Sequence, residues 1–390
     1  MKICACIAEY NPFHLGHLKH LEYIKNTLGA EKLIVVMSGN FCQRGESAIL
    51  DKFTRAKHAV IAGADLVIEL PTVFATANAE IFATGAVNLI DSLGVCQGLC
   101  FGVESGEKAE YLLLANAMNN ETKEFKKLLK EKLDGGISLA KAKFLTVKDL
   151  YGDTFNADLI NSPNNVLGLE YTKALIKRNS DIQIYPMKRD GDHNDKTLKK
   201  GITSATSIRQ AIKGGDKKKI KKNLPPFVYQ DIKDYLTDFD KLITASVIRA
   251  TCDDLKKIAD CTEGLENRIK ALSKDNYTVD GLVEKVSTKR YTETRIRRIL
   301  INNLLGIDKK LVDDAVNSPT YAKVLALNSQ SKDLIPLIAK NSSIPLLTRK
   351  SDTTLLKKTA LQVFEKDVLA SDLYNLVSGE KQNENQMLII

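Results

Sequence analysis

Over the first 190 residues, short apolar runs alternate with longer stretches of helical periodicity. Residues 2–8, 32–38, 65–70, 98–103 and 182–187 are brief and rich in Ile, Val, Leu or Cys, which predicts a strand at each. Residues 51–62 and 75–93 read as helices between them. This alternation predicts βαβ units and an α/β fold whose parallel sheet is covered on both faces. Ligands of such sheets sit at the carboxyl ends of the strands, so a site is expected among residues 9–17, 38–45, 71, 104–106 and 188–193.

From about residue 203 the pattern changes. Lys and Arg become dense, strand-like runs vanish, and amphipathic helical patterns continue to the C-terminus, interrupted at Pro225-Pro226 and Pro345. A boundary is expected between Asn223 and Asp240, dividing the chain into an α/β domain (1–230) and a mainly α-helical C-terminal domain (231–390). The polar stretch 378–386 reads as a loose tail, and the apolar 387–390 as a segment that docks.

Composition narrows the class without naming a function. The 390 residues are 44% hydrophobic and 27% charged, as in ordinary globular proteins. No stretch approaches the roughly 20 apolar residues of a membrane helix. The first apolar run meets Glu9 and Asn11 at once, so it reads as a buried strand and not as a signal peptide. Cys4, Cys6, Cys42, Cys96, Cys100, Cys252 and Cys261 show no metal-ligand spacing and are expected as reduced thiols in the cytoplasm. The formal net charge of +9 suggests an anionic partner.

Chemistry concentrates after the first strand, in Ile7-Ala8-Glu9-Tyr10-Asn11-Pro12-Phe13-His14-Leu15-Gly16-His17-Leu18-Lys19-His20. A Pro-containing turn leads into a helix opening near Gly16. The first N–H groups of a helix lack intrahelical partners, and its dipole favours an anion there. Gly16 would let a phosphate approach the backbone. His14 and His17, three residues apart, share a helix face and can point at the same phosphates. Three of the chain's five histidines fall in the seven residues 14–20. Far downstream, Ile202-Thr203-Ser204-Ala205-Thr206-Ser207-Ile208-Arg209 opens an amphipathic helix.

Together these two segments resemble the paired signatures of the HxGH nucleotidyltransferase superfamily, which implies a Rossmann-like ATP-binding domain. The runs at 8–17, 37–46 (Met37-Ser38-Gly39-Asn40-Phe41-Cys42-Gln43-Arg44-Gly45-Glu46), 63–71, 101–104, 162–171 and 289–292 are similar to the bacterial tRNA(Met) cytidine acetate ligase family over most of the chain. The resemblance implies a ligase that joins acetate to ATP as acetyl-adenylate, then acetylates N4 of the wobble cytidine of elongator tRNA(Met), with AMP and pyrophosphate released. It implies catalytic roles for His14, His17 and Arg209. ATP contacts would come from residues 7–20, Gly102, Asn164, Asn165, Arg189, Ser204 and Thr206, with Mg2+ accompanying ATP and no protein metal site. One departure stands out. Where an aromatic-His pair is expected after the Arg of the fifth strand, this chain reads Arg189-Asp190-Gly191-Asp192-His193-Asn194.

The residues make chemical sense of that activity. Acetate is ionised at neutral pH, so its attack on the α-phosphate needs no base. It needs relief of repulsion between two anions and stabilisation of departing pyrophosphate, which His14, His17, Ser204, Thr206 and Arg209 suit. The conjugated cytosine amine is a poor nucleophile, so the acetyl group must arrive activated. Other positions stay open between two readings. Gly102 is a nucleotide contact or a turn glycine; Asn164 or Asn165 bonds adenosine or caps a helix; Arg189 pairs with phosphate or is a solvated strand-end charge. Asn40 and Arg44 belong to the site or to a structural loop. Asp65 and Glu69 read as structural, and His58 as packed or exposed.

Residues 196–222 carry ten Lys/Arg and one acidic residue, a net charge equal to that of the whole chain. Lys217, Lys218, Lys219, Lys221 and Lys222 are expected to bind tRNA phosphates. A second cluster, Lys289, Arg290, Arg295, Arg297 and Arg298, is expected on one helical face with Tyr291 available to stack on a base. Two other functions stay open: a small-molecule adenylyltransferase of the coenzyme-precursor type, and a non-catalytic nucleotide-sensing RNA-binding protein.

Overall fold

The computed structural model describes residues 1–390 except 138, 153–155, 190–203, 234–236, 289 and 319. Five parallel strands form where the apolar runs predict them: β1 (Ile3–Ala8), β2 (Lys32–Ser38), β3 (Leu66–Leu70), β4 (Gly98–Val103) and β5 (Gln183–Lys188). Three later strands join the same sheet: β6 (Ala322–Leu327), β7 (Leu346–Leu347) and β8 (Leu388–Ile389). The order is β8-β6-β3-β2-β1-β4-β5, with β7 paired to β6. Within this sheet all described pairings are parallel except β3 with β6.

Alternation along the strands sends side chains into two cores. Ile3 and Ala5 of β1 join Ile34 and Val36 of β2 on one face, while Cys4, Cys6, Leu33, Val35 and Met37 face the other. Helix α1 (Leu15–Glu22) and helix α2 (Lys52–Ile61) supply Leu21, Phe53 and Ala56 to the second core. Helix α3 (Ala79–Ser92) and helix α4 (Pro163–Lys177) supply Phe82, Ala83, Leu169 and Ala174 to the first. All seven cysteines are free. Among the described residues, no helix is long and apolar enough to cross a membrane.

The C-terminal half is mainly helical, but strand-like runs do not vanish there. The segment Ala-Lys-Val-Leu-Ala-Leu of β6 is wholly buried and antiparallel to β3, so the sheet crosses the expected division at 230/231. A strand buried on both faces lacks the alternation that marks a half-exposed one. The 378–386 stretch is not a loose tail either. Glu384 is buried and bonds Lys52 Nζ at 2.6 Å and also Lys323, while Gln382 accepts from Asn40 at 3.2 Å. Leu388–Ile389 then pairs with β6, as the apolar ending suggests.

Strand order reverses at β1, which has β2 on one side and β4 on the other. That is the position where an open α/β sheet leaves a crevice at its carboxyl edge.

Candidate active site

A cavity of about 270 Å³ opens at that crevice. Its walls include Ile7, Ala8, Glu9, Tyr10, Asn11, His14, Gly16, His17, Lys19 and His20 from the first signature. Gly102, Asn164, Arg189, Ser204, Thr206 and Arg209 also line it, with Gln43 and Arg44 at the loop after β2 and apolar walls from Phe82, Phe101 and Leu167. Pro12, Phe13, Leu15 and Leu18 do not line it; Phe13 is buried against Tyr10 and His17.

The local fold explains the histidine pair. His14 is the N-cap of α1, and its Nδ1 accepts from Gly16 N at 3.0 Å. His17 Nδ1 accepts in turn from His14 N at 3.2 Å. Because each Nδ1 accepts, the ring proton of each sits on Nε2. The rings stack with centroids 3.7 Å apart. A Cβ on Gly16 would stand 2.9 Å from His14 Cε1, so this glycine makes room for the imidazole.

The backbone end of α1 differs from expectation. Leu15 N donates to Asn223 O at 3.1 Å, Gly16 N to His14, and His17 N to His14 O at 2.9 Å. The first amides are thus already paired, and the imidazoles, not an open N-terminus, present the donors to the cavity.

Burial depresses the His17 pKa well below the ordinary imidazole value, with His14, Arg189 and His20 adding repulsion. Burial, then Arg189, brings His20 down to about 4; its Nε2 contacts Cys100 Sγ at 3.3 Å. His17 and His20 are therefore neutral at neutral pH.

The second signature reaches the same place. Ser204 caps helix α5 (Ala205–Lys213) by accepting from Ser207 N at 3.2 Å. Arg209 Nη1 donates to Asn11 O at 2.8 Å, and Nη2 stands 3.3 Å from Glu46 Oε2. Thr206 Oγ1 lies 3.5 Å from Arg209 Nη2. Residues 190–203, including Asp190-Gly191-Asp192-His193-Asn194 and the start of the second signature, lie outside the described residues.

On the β4–β5 side, a Cβ at Gly102 would meet Arg189 Cδ at 3.1 Å. Of the two asparagines only Asn164 lines the cavity, donating to Glu104 Oε1 at 2.5 Å. Asn165 is buried and structural: its Oδ1 accepts from Glu104 N at 2.9 Å and its Nδ2 donates to Ser105 Oγ and Asp158 O, both at 2.8 Å.

Of the loop pair, Arg44 lines the cavity, whereas Asn40 is buried and accepts from Lys52 N at 2.9 Å. Asp65 accepts from Leu33 N at 2.7 Å, Glu69 pairs with Lys52 at 2.8 Å, and buried His58 meets Asp231 at 2.8 Å. Sequence reasoning missed Arg55. Its buried guanidinium donates to Glu9 O at 2.6 Å, Ser38 O at 3.0 Å and Gly39 O, tying together the ends of β1 and β2. A lone Arg on a helix carried no signal of that.

The two basic clusters separate in character. Lys218, Lys219, Lys221 and Lys222 are exposed; Lys219 pairs with Asp216 and Lys221 lies over the Tyr229 ring at 5.8 Å. Lys217 begins the short helix Lys217–Ile220, and its side chain, like Lys289, lies outside the described residues. The second cluster is committed within the protein. Arg290 pairs with Glu263 at 2.7 Å, Arg295 bonds Asp260 O at 2.9 Å, and Arg297 pairs with Asp280 at 2.6 Å. Arg298 is buried beside Asp260 at 3.5 Å, and Tyr291 is held through its hydroxyl to Glu263 O at 3.1 Å. Arg295, Arg297 and Arg298 lie on helix α7 (Glu293–Leu305), which is buried on most sides, so its cations do not form one open face. Asp280, in helix α6 (Val279–Val286), also accepts from Lys213 at 2.7 Å. The end of α5 and the second cluster thereby adjoin.

Comparison with known proteins gives concordant matches. The family model described as HIGH Nucleotidyl Transferase matches residues 1–387. The tRNA(Met) cytidine acetate ligase of Acetivibrio thermocellus is 39% identical over 96% of this chain and 94% of its own. That of Clostridium perfringens is 37% identical over 100% and 98%. The crystal structure of Thermotoga maritima TmcAL in its apo form superposes with a TM-score of 0.93 at 28% identity, covering all of both chains. Its alpha-thio ATP-bound form gives 0.91 at the same identity and coverage.

Proposed function

The chain belongs to the HIGH nucleotidyl transferase family and, within it, to the tRNA(Met) cytidine acetate ligases, and on that premise we propose how its cavity performs the reaction. The protein is an ATP-dependent ligase that acetylates a tRNA cytidine. Acetate attacks the α-phosphate of ATP; acetyl-adenylate forms and pyrophosphate leaves; the exocyclic N4 of the wobble cytidine of elongator tRNA(Met) then takes the acetyl group and releases AMP.

The observation that carries this reading is the bond from Arg209 to Asn11 O, which brings two signatures 198 residues apart to one cavity. His14, His17 and Arg209 are the catalytic groups. They stabilise charge on the departing pyrophosphate from fixed positions, as adenylyl transfer requires. Ser204 and Thr206 help hold the triphosphate, while Gly102, Asn164 and Arg189 flank the nucleotide. Mg2+, if bound with ATP, would supply positive charge toward the departing pyrophosphate and would need few protein ligands. The only acidic group lining the cavity among the described residues is Glu9.

The exposed lysines 218, 219, 221 and 222 grip the tRNA backbone, and the 231–390 portion extends that surface. The reaction belongs in the cytoplasm, where free thiols stay reduced. ATP–pyrophosphate exchange tested across small carboxylates checks the activation step. Acetate-dependent exchange is expected; exchange driven by a mononucleotide instead would indicate a small-molecule adenylyltransferase.

A further inference from the structure

The roles proposed above leave one part of the cavity without a task, the part at the end of β1 beside the loop after β2, although its Glu9 falls in the 7–20 run expected to meet ATP. Glu9, Gln43 and Arg44 line it. Glu9 Oε1 accepts from Gln43 N at 2.6 Å, which fixes the carboxylate against that loop. Its backbone is fixed as well, through Glu9 O and Arg55 Nη1 at 2.6 Å.

Neither anionic substrate explains this carboxylate. The triphosphate and acetate are both anionic, so neither gains from a negative charge at this edge of the cavity. A carboxylate there suits the third reactant, an amine that must lose a proton. The charged and titratable groups facing Glu9 are Arg44, Arg55 and Arg209, with Cys42 and Tyr171 also near. Burial pushes the Glu9 carboxyl above the ordinary carboxylate value, and the Gln43 amide and the three guanidinium groups offset this only in part. A raised carboxyl is closer to the neutral range in which a general base works best.

Resting on the function proposed above, we propose that Glu9 is the catalytic base of the acetyl-transfer step. The N4 lone pair forms the new bond to the acetyl carbonyl carbon. The bond from that carbon to the phosphate oxygen breaks, and its electron pair leaves with AMP. The amine proton passes to the Glu9 carboxylate and from there to solvent, so the products are the N-acetyl cytidine, AMP and one proton. Arg44 and Arg209 keep the carboxylate ionised between turnovers, and the Gln43 amide holds it in place.

The transfer step is measured alone by supplying synthetic acetyl-adenylate to the full-length protein with tRNA and following single-turnover acetylation across pH. For the natural protein the rate rises with pH through one ionisation and then levels. Glu9→Gln keeps an acceptor for Gln43 N, and its thermal melting reports whether the fold is kept. Its transfer should be slower by about 100-fold or more, the usual worth of a general base, and should lack that ionisation. Glu9→Asp should retain the ionisation at a reduced rate. Transfer by Glu9→Gln at a rate close to the natural one, or with the same ionisation, would show that the proton leaves through the adenylate phosphate or water and would overturn the proposal. If the natural protein failed to transfer from acetyl-adenylate at all, the function itself would fall, and this inference with it.

Discussion

Arg209 Nη1 donates to the carbonyl oxygen of Asn11 at 2.8 Å, joining the helix of the second signature to the turn of the first. This bond fixes the guanidinium on the wall of the cavity that the histidine pair also lines, with Glu46 as its counter-charge at 3.3 Å. A lysine in its place would keep the charge but lose the planar fork that bonds Asn11 and faces the cavity together. Arg209→Lys is therefore expected to lower acetate-dependent ATP–pyrophosphate exchange by about 10-fold or more. Exchange at the natural rate would show that charge alone suffices there.

Removing either imidazole should cost more. Loss of one preorganised transition-state donor is worth roughly 2.7–4 kcal/mol in comparable sites, about 100- to 1000-fold in rate. His14→Ala and His17→Ala should each lower exchange by that order. His14 also caps α1 through Gly16 N, so its variant should melt lower as well, by about 1 kcal/mol of stability. Near-natural exchange in either variant would remove the phosphate-site assignment.

The two basic clusters should respond differently to charge reversal. Lys218→Glu with Lys222→Glu changes exposed side chains, so tRNA affinity should fall and its log–log salt dependence should flatten by roughly one to two units. Exchange measured without tRNA should be unaffected. Arg298→Glu instead puts a carboxylate at a buried position beside half-buried Asp260, and should destabilise the fold by about 3 kcal/mol or more. A stable Arg298→Glu protein with weakened tRNA binding would return Arg298 to the tRNA surface.

His20 gives a pH dependence of stability. Its pKa is brought down to about 4 in the folded protein, against an ordinary value near 6.5. Between those values the unfolded chain binds the proton and the folded one does not. The folded state is thus penalised as pH falls from about 6.5 to 4, by roughly 3 kcal/mol in total, with no penalty above that window. His20→Gln should remove this component, so the variant should gain on the natural protein as pH falls through the window. Parallel melting curves for the two proteins over that range would contradict the assignment.

Much of this was legible in the sequence for a specific reason. Strands buried on both faces of a parallel sheet read as continuous apolar runs, and five of them fell within a residue or so of where the runs lie. Beyond that the physics was less readable. The same kind of buried strand at Ala322–Leu327 contains Lys323, whose charge is answered by Glu69 and Glu384 from distant parts of the chain. Arg298 follows the spacing of a cationic face, yet α7 is enclosed on most sides, which only tertiary contacts decide. Asn164 and Asn165 could not be told apart until the turn of α4 sent one into the cavity and the other into the loop at Ser105. The histidine motif signalled an anion site, but not that the rings would cap their own helix and leave its amides already paired.

The central claim is that free acetate is activated by adenylylation and delivered to a tRNA cytidine, and labelled acetate tests it most directly. With isotope-labelled acetate, ATP and tRNA as the only substrates, label should enter one cytidine, with AMP and pyrophosphate released in equal amounts. Release of ADP and phosphate, or labelling from acetyl-CoA without ATP, would contradict it.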